Sequence, residues 1–503
     1  RFFGFYPFCL RQNALSLHSP LCFYAYKPLY LQMKLLLSIL LLLVIVPAVG
    51  ARPVEPVRKV KYPGDKTYIF RVALTDKHGT PFSLDRPARF LSAKAIERRN
   101  RQHLQLDSTD LPVNPAYLSD IRSTGVDVVG VSKWNNTALV RTTDLSLLDS
   151  VLSLSCVKDL REVWVSPDSI SVSPQRARYH TEFNQWDSIR QTPYGVTFQQ
   201  VSMLSGQRLH RHGLTGRGMT IAVLDGGFMN ADCIPCMKVI DVIGSHDFVV
   251  PQSTDVFKEM EHGTKVLSVI GVNQPEVFVG TAPDASFWLL RCEDSSSEYP
   301  VEEDYWAAAA EFADSVGVDI ISSSLGFHSF DDPKYNYKLS QLDGHTALIS
   351  RTASMLAGKG IVLVSSAGND GMASWKKINV PADADEIITV GAVTPDLRNA
   401  AFSSIGPTAD GRIKPDVMAL GSPAAVITGR GTIIRDVGTS FSAPLVAGMV
   451  ACLWQALPYA TARDIIALVR RCSSNYATPD NIYGYGVPDF WKAVIDGNGE
   501  LKK

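Results

Sequence analysis

The chain has 503 residues, 46% of them apolar and 20% charged, with a formal net charge of −1. That is the balance of an ordinary globular protein with room for a large core and, by length, roughly two to four domains. It contains no long Lys or Arg block, heptad pattern or low-complexity tract, which argues against nucleic acid or an anionic membrane surface as partner.

Near the N-terminus, Met33-Lys34, the apolar run from Leu35 to Val46 and Pro47-Ala48-Val49-Gly50-Ala51 have the layout of a secretory signal peptide. The apolar run is short for a membrane span. Residues 1–32 are therefore expected to be translated upstream sequence, and 33–51 a signal. The mature protein is expected to be secreted or periplasmic, without stable membrane association once the signal is removed; an uncleaved anchor is the alternative. Of the eight cysteines, Cys9 and Cys22 precede the signal and Cys156 is isolated. Cys233-Ile234-Pro235-Cys236 is the one close pair, followed by Cys292, Cys452 and Cys472. No second close pair completes a zinc site, so a structural disulfide or free thiols are expected rather than redox or metal chemistry.

Residues 52–66 read as linker. Strands are expected at 67–74, 126–131, 138–142 and 163–165, a charged helix at 91–100, and a helix at 145–154. Trp134-Asn135-Asn136 is the turn between the middle strands. Strand, helix, strand, strand, helix, strand is the ferredoxin-like order, here a small α+β domain within 52–166. Residues 167–200 are polar and contain Arg176, Arg178, Arg190 and Pro193, an exposed linker suited to processing.

Over 201–497 strands and helices alternate, which predicts an α/β domain of three layers with a mostly parallel central sheet. Strands are expected at 219–224, 287–291, 318–324, 361–366 and 387–392. Helices are expected at 265–271, opened by His262-Gly263-Thr264, and at 302–316, 346–359 and 462–471. Asp225, the segment 325–326 and Asn369 follow strand ends. Ligands of such sheets bind at that edge.

The segment from Gly438 to Gly448, Gly-Thr-Ser-Phe-Ser-Ala-Pro-Leu-Val-Ala-Gly, reads as a tight turn that presents Ser440 at a helix start. Gly438 is expected to allow a sharp backbone approach, Pro444 to lie in a first turn and Gly448 to let a neighbour pack close. Free N–H groups and the positive helix end there suit a nucleophile whose product is an oxyanion. A serine hydroxyl needs a base; His262 is a fair one, and Asp225 a fair group to orient it. Asn369 carries a side-chain N–H₂ that could reach an oxyanion.

Four segments resemble the signature blocks of the subtilisin-like serine peptidases, the subtilases. They are Ile221 to Gly227 (aspartate block), Glu261 to Val266 (histidine block), Ser366-Ala367-Gly368-Asn369 (oxyanion block) and Gly438 to Gly448 (serine block). They stand in the family's order, and Ser323-Ser324-Leu325-Gly326 and Lys414-Pro415-Asp416-Val417 also match. The resemblance implies a secreted serine endopeptidase made as a zymogen, acting on protein or peptide substrates. Ser440 would be the nucleophile, His262 the base, Asp225 its orienting group and Asn369 an oxyanion donor. Ser324, Leu325 and Gly326 would bind substrate, with a small or apolar side chain expected next to the scissile bond. The N-terminal domain would be a prodomain and the enzyme's own partner.

The aspartate block departs from the family at Gly227-Phe228, and the cleft segment at Phe327-His328. No cofactor is expected: calcium would need a loop, and Asp343, Asp383 and Asp385 are candidates only as loop acids. Hydrolysis and transpeptidation share the triad and both stay open. A catalytically silent scaffold is disfavoured because all four positions are intact.

Overall fold

The computed structural model describes residues 58–172 and 192–500. The expected signal, the upstream residues and most of the expected processing linker lie outside the described residues.

The N-terminal region carries β1 (Tyr68–Leu74), α1 (Ala93–Arg101), α2 (Pro115–Ser123), β2 (Asp127–Ser132), β3 (Thr137–Thr142), α3 (Leu148–Leu152) and β4 (Val157–Val165). The four strands form an antiparallel sheet in the order β2-β3-β1-β4, the ferredoxin-like arrangement. Alternation along the strands sends Phe70, Val72 and Leu74 to one face, against Ile121 of α2 and Val151 of α3. Ile69, Leu139 and Val163 point the other way and pack with Val301 of the following region.

The sequence pattern missed α2, and it is α2, not the charged α1, that covers the sheet. Helix α1 instead lies against the larger region, with Arg98 and Arg99 only 1% and 2% exposed. Charge at 91–100 therefore marks a buried polar interface, not a solvated face.

The larger region is built on β5 (Thr220–Asp225), β6 (Asp241–Asp247), β7 (Ser286–Arg291), β8 (Ile320–Ser323), β9 (Val362–Ser366), β10 (Ile388–Val393) and β11 (Val417–Leu420). These make one parallel seven-stranded sheet in the order β11-β10-β9-β8-β5-β7-β6. Strand β5 is the switch point: the chain builds β6 and β7 on one side of it, then crosses to β8 on the other. Its residues alternate between two cores, Ile221 and Val223 on one face and Ala222 and Leu224 on the other. The first core includes α4 (His262–Gly271) and α7 (Thr439–Ala456); the second includes α5 (Val301–Val316) and α6 (Leu348–Met355). The edge strand β6 escaped the sequence pattern because Asp241, Val242 and Ile243 are exposed, so it lacks the apolar run of a central strand.

Helix α7 is long and apolar enough to cross a membrane, but it is buried in the core. A Cβ at its Gly448 would overlap the Thr281 side chain. Gly448→Ala is thus expected to cost about 1–3 kcal/mol by overpacking, read as a lowered denaturant midpoint of the full chain at unchanged slope. An unchanged midpoint would mean that the Thr281 side chain yields freely.

Two expectations are corrected. Residues 194–200 are not exposed linker: Val196, Thr197 and Gln200 are buried, because the segment packs on the larger region through helix 198–202. The linker's first part also contains a strand, Ser169–Val172. Cys156, Cys292, Cys452 and Cys472 are free thiols, one of the two expected outcomes, with Cys452 in the core as its apolar neighbours suggested.

Candidate active site

Asp225 is the last residue of β5, inside the strand and not just beyond it, and is fully buried. The strand end presents its carboxylate to the first residue of α4. His262 Nδ1 lies 3.0 Å from both Asp225 oxygens. The Gly226 N–H donates to Oδ1 at 2.8 Å, which holds the carboxylate in place. Arg291, the end of neighbouring β7, donates to the Gly226 carbonyl at 3.1 Å and ion-pairs with buried Asp247.

The helix start is set by close packing. The Gly263 N–H donates to the Gly227 carbonyl at 3.0 Å. A Cβ on Gly263 would collide with that carbonyl and with the Phe228 ring, so glycine is required after His262. Thr264 Oγ1 donates to the Met229 carbonyl at 2.8 Å.

Burial alone would depress the His262 imidazole. The charge and hydrogen bond of Asp225, with the charge of Glu293, outweigh it and raise the group to about 9. An imidazole whose Nδ1–H is donated to a carboxylate leaves Nε2 to exchange a proton with a hydroxyl.

Ser440 is the second residue of α7, and its N–H is among those with no acceptor inside the helix. Gly438, not a serine, precedes the helix, and its surroundings leave room for a Cβ, so no close backbone approach occurs there; its φ of 155° is what favours glycine. Pro444 lies inside the helix and not in its first turn. Without an N–H it cannot bond the Ser440 carbonyl four residues back. Ser324 takes over, donating its Oγ to that carbonyl at 2.9 Å. The proline and a serine from a different strand end thus act together to hold the backbone of Ser440.

Asn369 follows β9 through Gly368, whose φ is 109° and whose Cβ would meet the Ser404 and Asn379 side chains. Its Oδ1 accepts from the Thr439 N–H at 2.9 Å and the Thr439 hydroxyl at 3.0 Å. With the oxygen so held, the Nδ2 donor of the same amide is left for another acceptor. Thr439 was legible only as part of the serine block; its link to Asn369 bridges 70 residues of sequence.

Ser440, Asn369, Ser324, Leu325 and Gly326 line one cavity of about 440 Å³. His328 is on its wall, its ring 4.7 Å from that of Trp375 and its Nε2 3.9 Å from Asp370 Oδ1. The wall also contains Glu293 and Glu298, which the sequence patterns did not single out. The three loop acids considered for calcium are engaged locally. Asp343 accepts from the N–H groups of His345 and Thr346, Asp383 from the Gly344 N–H and the Ser350 hydroxyl, and Asp385 pairs with Arg412 and His345.

Residues 216–486 match the model of the subtilase family, peptidase S8. The chain belongs to the subtilase family. Residues 69–180 of this subtilase match the model of the peptidase S8 propeptide domain of Bacteroidota, so the ferredoxin-like sheet falls in a propeptide match. It is 31% identical over 267 residues to Subtilisin NAT of Bacillus subtilis subsp. natto, covering 52% of this chain and 60% of that protein. Subtilisin E of Bacillus subtilis strain 168 matches with the same identity and coverage. Subtilisin of Bacillus pumilus is 30% identical over 267 residues, covering 52% of this chain and 84% of that protein. The chain thus spans less than two thirds of the length of the first two relatives. Among solved structures, MycP1 from Mycobacterium smegmatis is similar over 64% of this chain and 89% of that one, at 22% identity and a TM-score of 0.48.

Proposed function

We propose that this subtilase is an exported serine endopeptidase made as a zymogen, with Ser440 as nucleophile, His262 as general base and then acid, and Asp225 orienting His262. The observation that carries the reading is the Asp225–His262 contact, both oxygens 3.0 Å from Nδ1, with the His262 ring 6.1 Å from that of Phe441, the residue after Ser440. Ser440 Oγ attacks the peptide carbonyl as its proton passes to His262, and Asp225 stabilises the imidazolium. The Ser440 N–H and Asn369 Nδ2 receive the developing oxyanion. His262 then protonates the leaving amine, and water reverses the sequence to release the acyl group.

The N-terminal domain is proposed to be a prodomain cut away within 167–200. Its propeptide match and its contacts with α5 support this: Glu311 accepts from the N–H groups of Lys133 and Trp134 at the β2–β3 turn. Export rests on the signal-like segment 33–51.

The test compares the chain expressed from Met33 with its Ser440→Ala variant, by intact mass and N-terminal sequencing. The wild type is expected to lose residues up to the 167–200 segment and to react with a fluorophosphonate. The variant is expected to stay joined at that segment and unlabelled. Equal trimming of both would assign processing to another protease, and a wild type that does not label would refute the peptidase reading.

A further inference from the structure

The cavity that holds Ser440 carries an unbalanced charge. Glu293, Glu298 and Asp370 line it, and among the described residues His328 is the one basic side chain on its wall and neither Lys nor Arg lines it. Asp370 is already occupied, accepting from Asn379 Nδ2 at 2.9 Å and lying near His328. Glu293 and Glu298 differ: among the described residues neither carboxylate has a hydrogen bond or an ion pair. The nearby cation Arg291 is committed to Asp247 and the Gly226 carbonyl.

Both glutamates are partly buried and both are raised to about 7. For Glu293 the causes are burial and then the charge of Asp225; for Glu298 they are burial and then the charge of Glu293. Carboxylates so placed are costly to ionise alone and gain most from a cation that enters between them.

The positions are built. The Glu298 N–H donates to Asp331 Oδ2 at 3.1 Å and its carbonyl accepts from the Asp331 N–H at 2.9 Å, which pins the backbone. Glu293 is held next to the triad, with Oε2 against Gly226, and its charge acts on His262.

Two further groups mark the cavity as a place for a ligand. Ser440, 8% exposed, lines it with no side-chain hydrogen-bond partner among the described residues, and Asn379, also 8% exposed, has its Oδ1 buried without one.

We propose that Glu293 and Glu298 form a specificity site for a lysine or arginine side chain of the peptide substrate. Because the cavity is small and shared with Ser440, that side chain sits within a few residues of the scissile bond. This deepens the peptidase reading and rests on it. It places a cation beside the Gly- and Ser-lined segment 324–326, which by itself suggests a small or apolar side chain. The chain carries such cations where processing is expected, in Arg176, Arg178 and Arg190.

The experiment uses the processed enzyme and its Glu293→Gln, Glu298→Gln, doubly substituted and Glu298→Asp forms. Each preparation is first titrated with a fluorophosphonate. One peptide backbone is then scanned with Lys, Leu or Glu at each of the positions flanking the scissile bond. The readout is the Lys-to-Leu ratio of kcat/KM within each variant, which cancels any general change in activity. In the wild type this ratio is expected to reach about tenfold or more at one position, the range of a charge-assisted hydrogen bond. It is expected to fall towards one in the double variant and to be partly kept in Glu298→Asp. A ratio near one at every position, or a Lys preference that survives the double substitution, overturns the proposal while leaving the peptidase reading intact. A wild type that fails to label overturns both.

Discussion

Asp225→Asn is expected to lower kcat by about 3 × 10⁴, the size of the loss known for the corresponding residue of subtilisin itself. The amide cannot hold the imidazole in the tautomer that keeps Nε2 basic, nor stabilise the imidazolium. The pH profile is the discriminating readout. With Asp225 present His262 is raised to about 9, so the neutral imidazole that its proposed role as base requires is a minor species at pH 7. Wild-type kcat/KM should climb between pH 7 and 9 and level off above. In Asp225→Asn only the charge of Glu293 still opposes burial, and the midpoint should fall well below that of the wild type. The stability linkage has the opposite sense. A raised folded-state value contributes stability that is full below the unfolded histidine range and fades as pH passes through about 9. Thermal unfolding of the Ser440→Ala chain at pH 6 and pH 10 measures it. A wild-type activity midpoint below 6.5 would remove the Asp225–His262 pair from the role given to it.

Asp314→Asn is expected to destabilise the unprocessed chain by about 3–5 kcal/mol, the cost of breaking a buried ion pair from one side. Asp314, on α5, is fully buried and meets three cations of the N-terminal region: Arg98 at 2.5 Å, Arg99 at 2.8 Å and Lys133 at 3.3 Å. Burial works against its charge, but these cations prevail and lower it to about 2. Removing its charge leaves Arg98 and Lys133 desolvated without an ion-pair partner among the described residues, while Arg99 keeps Asp110 at 2.8 Å. The measurement is denaturant unfolding of the unprocessed Ser440→Ala chain with and without Asp314→Asn. A matched control is Asp127→Asn, whose partner Arg141 is 50% exposed and whose own side chain is 71% exposed; it should change little. Once the N-terminal domain is gone the interface no longer exists, so processed enzyme carrying Asp314→Asn should cleave peptides as the wild type does. A loss below about 1 kcal/mol would show that water or rearrangement replaces the pairing.

These two residues also divide what could be read from the chain alone. Asp225, His262, Asn369 and Ser440 were legible because each sits in a short block whose neighbours have a local task. Gly263 permits the close pass over Gly227, and Gly368 turns the chain after β9. The parallel sheet was legible because β5, β9 and β10 are buried on both faces and read as continuous apolar runs. The ferredoxin-like order was legible from alternation along β1 and β3.

Tertiary structure alone decided the rest, because it depends on partners far apart in the chain. Whether the charges of α1 face water or Asp314 cannot be seen in α1, since the carboxylate lies more than 200 residues on. Pro444 reads as a helix-start residue until Ser324, 116 residues away from Ser440, is found on the carbonyl it leaves free. Glu293 and Glu298 belong to no block and have the look of solvated loop acids. Only the folding of β7, β8 and β9 around one cavity sets them on the same wall as Ser440. Local sequence determines where strands and turns fall, because backbone preference and side-chain period are local. Which charges are buried, and against what, is set by the packing of whole layers.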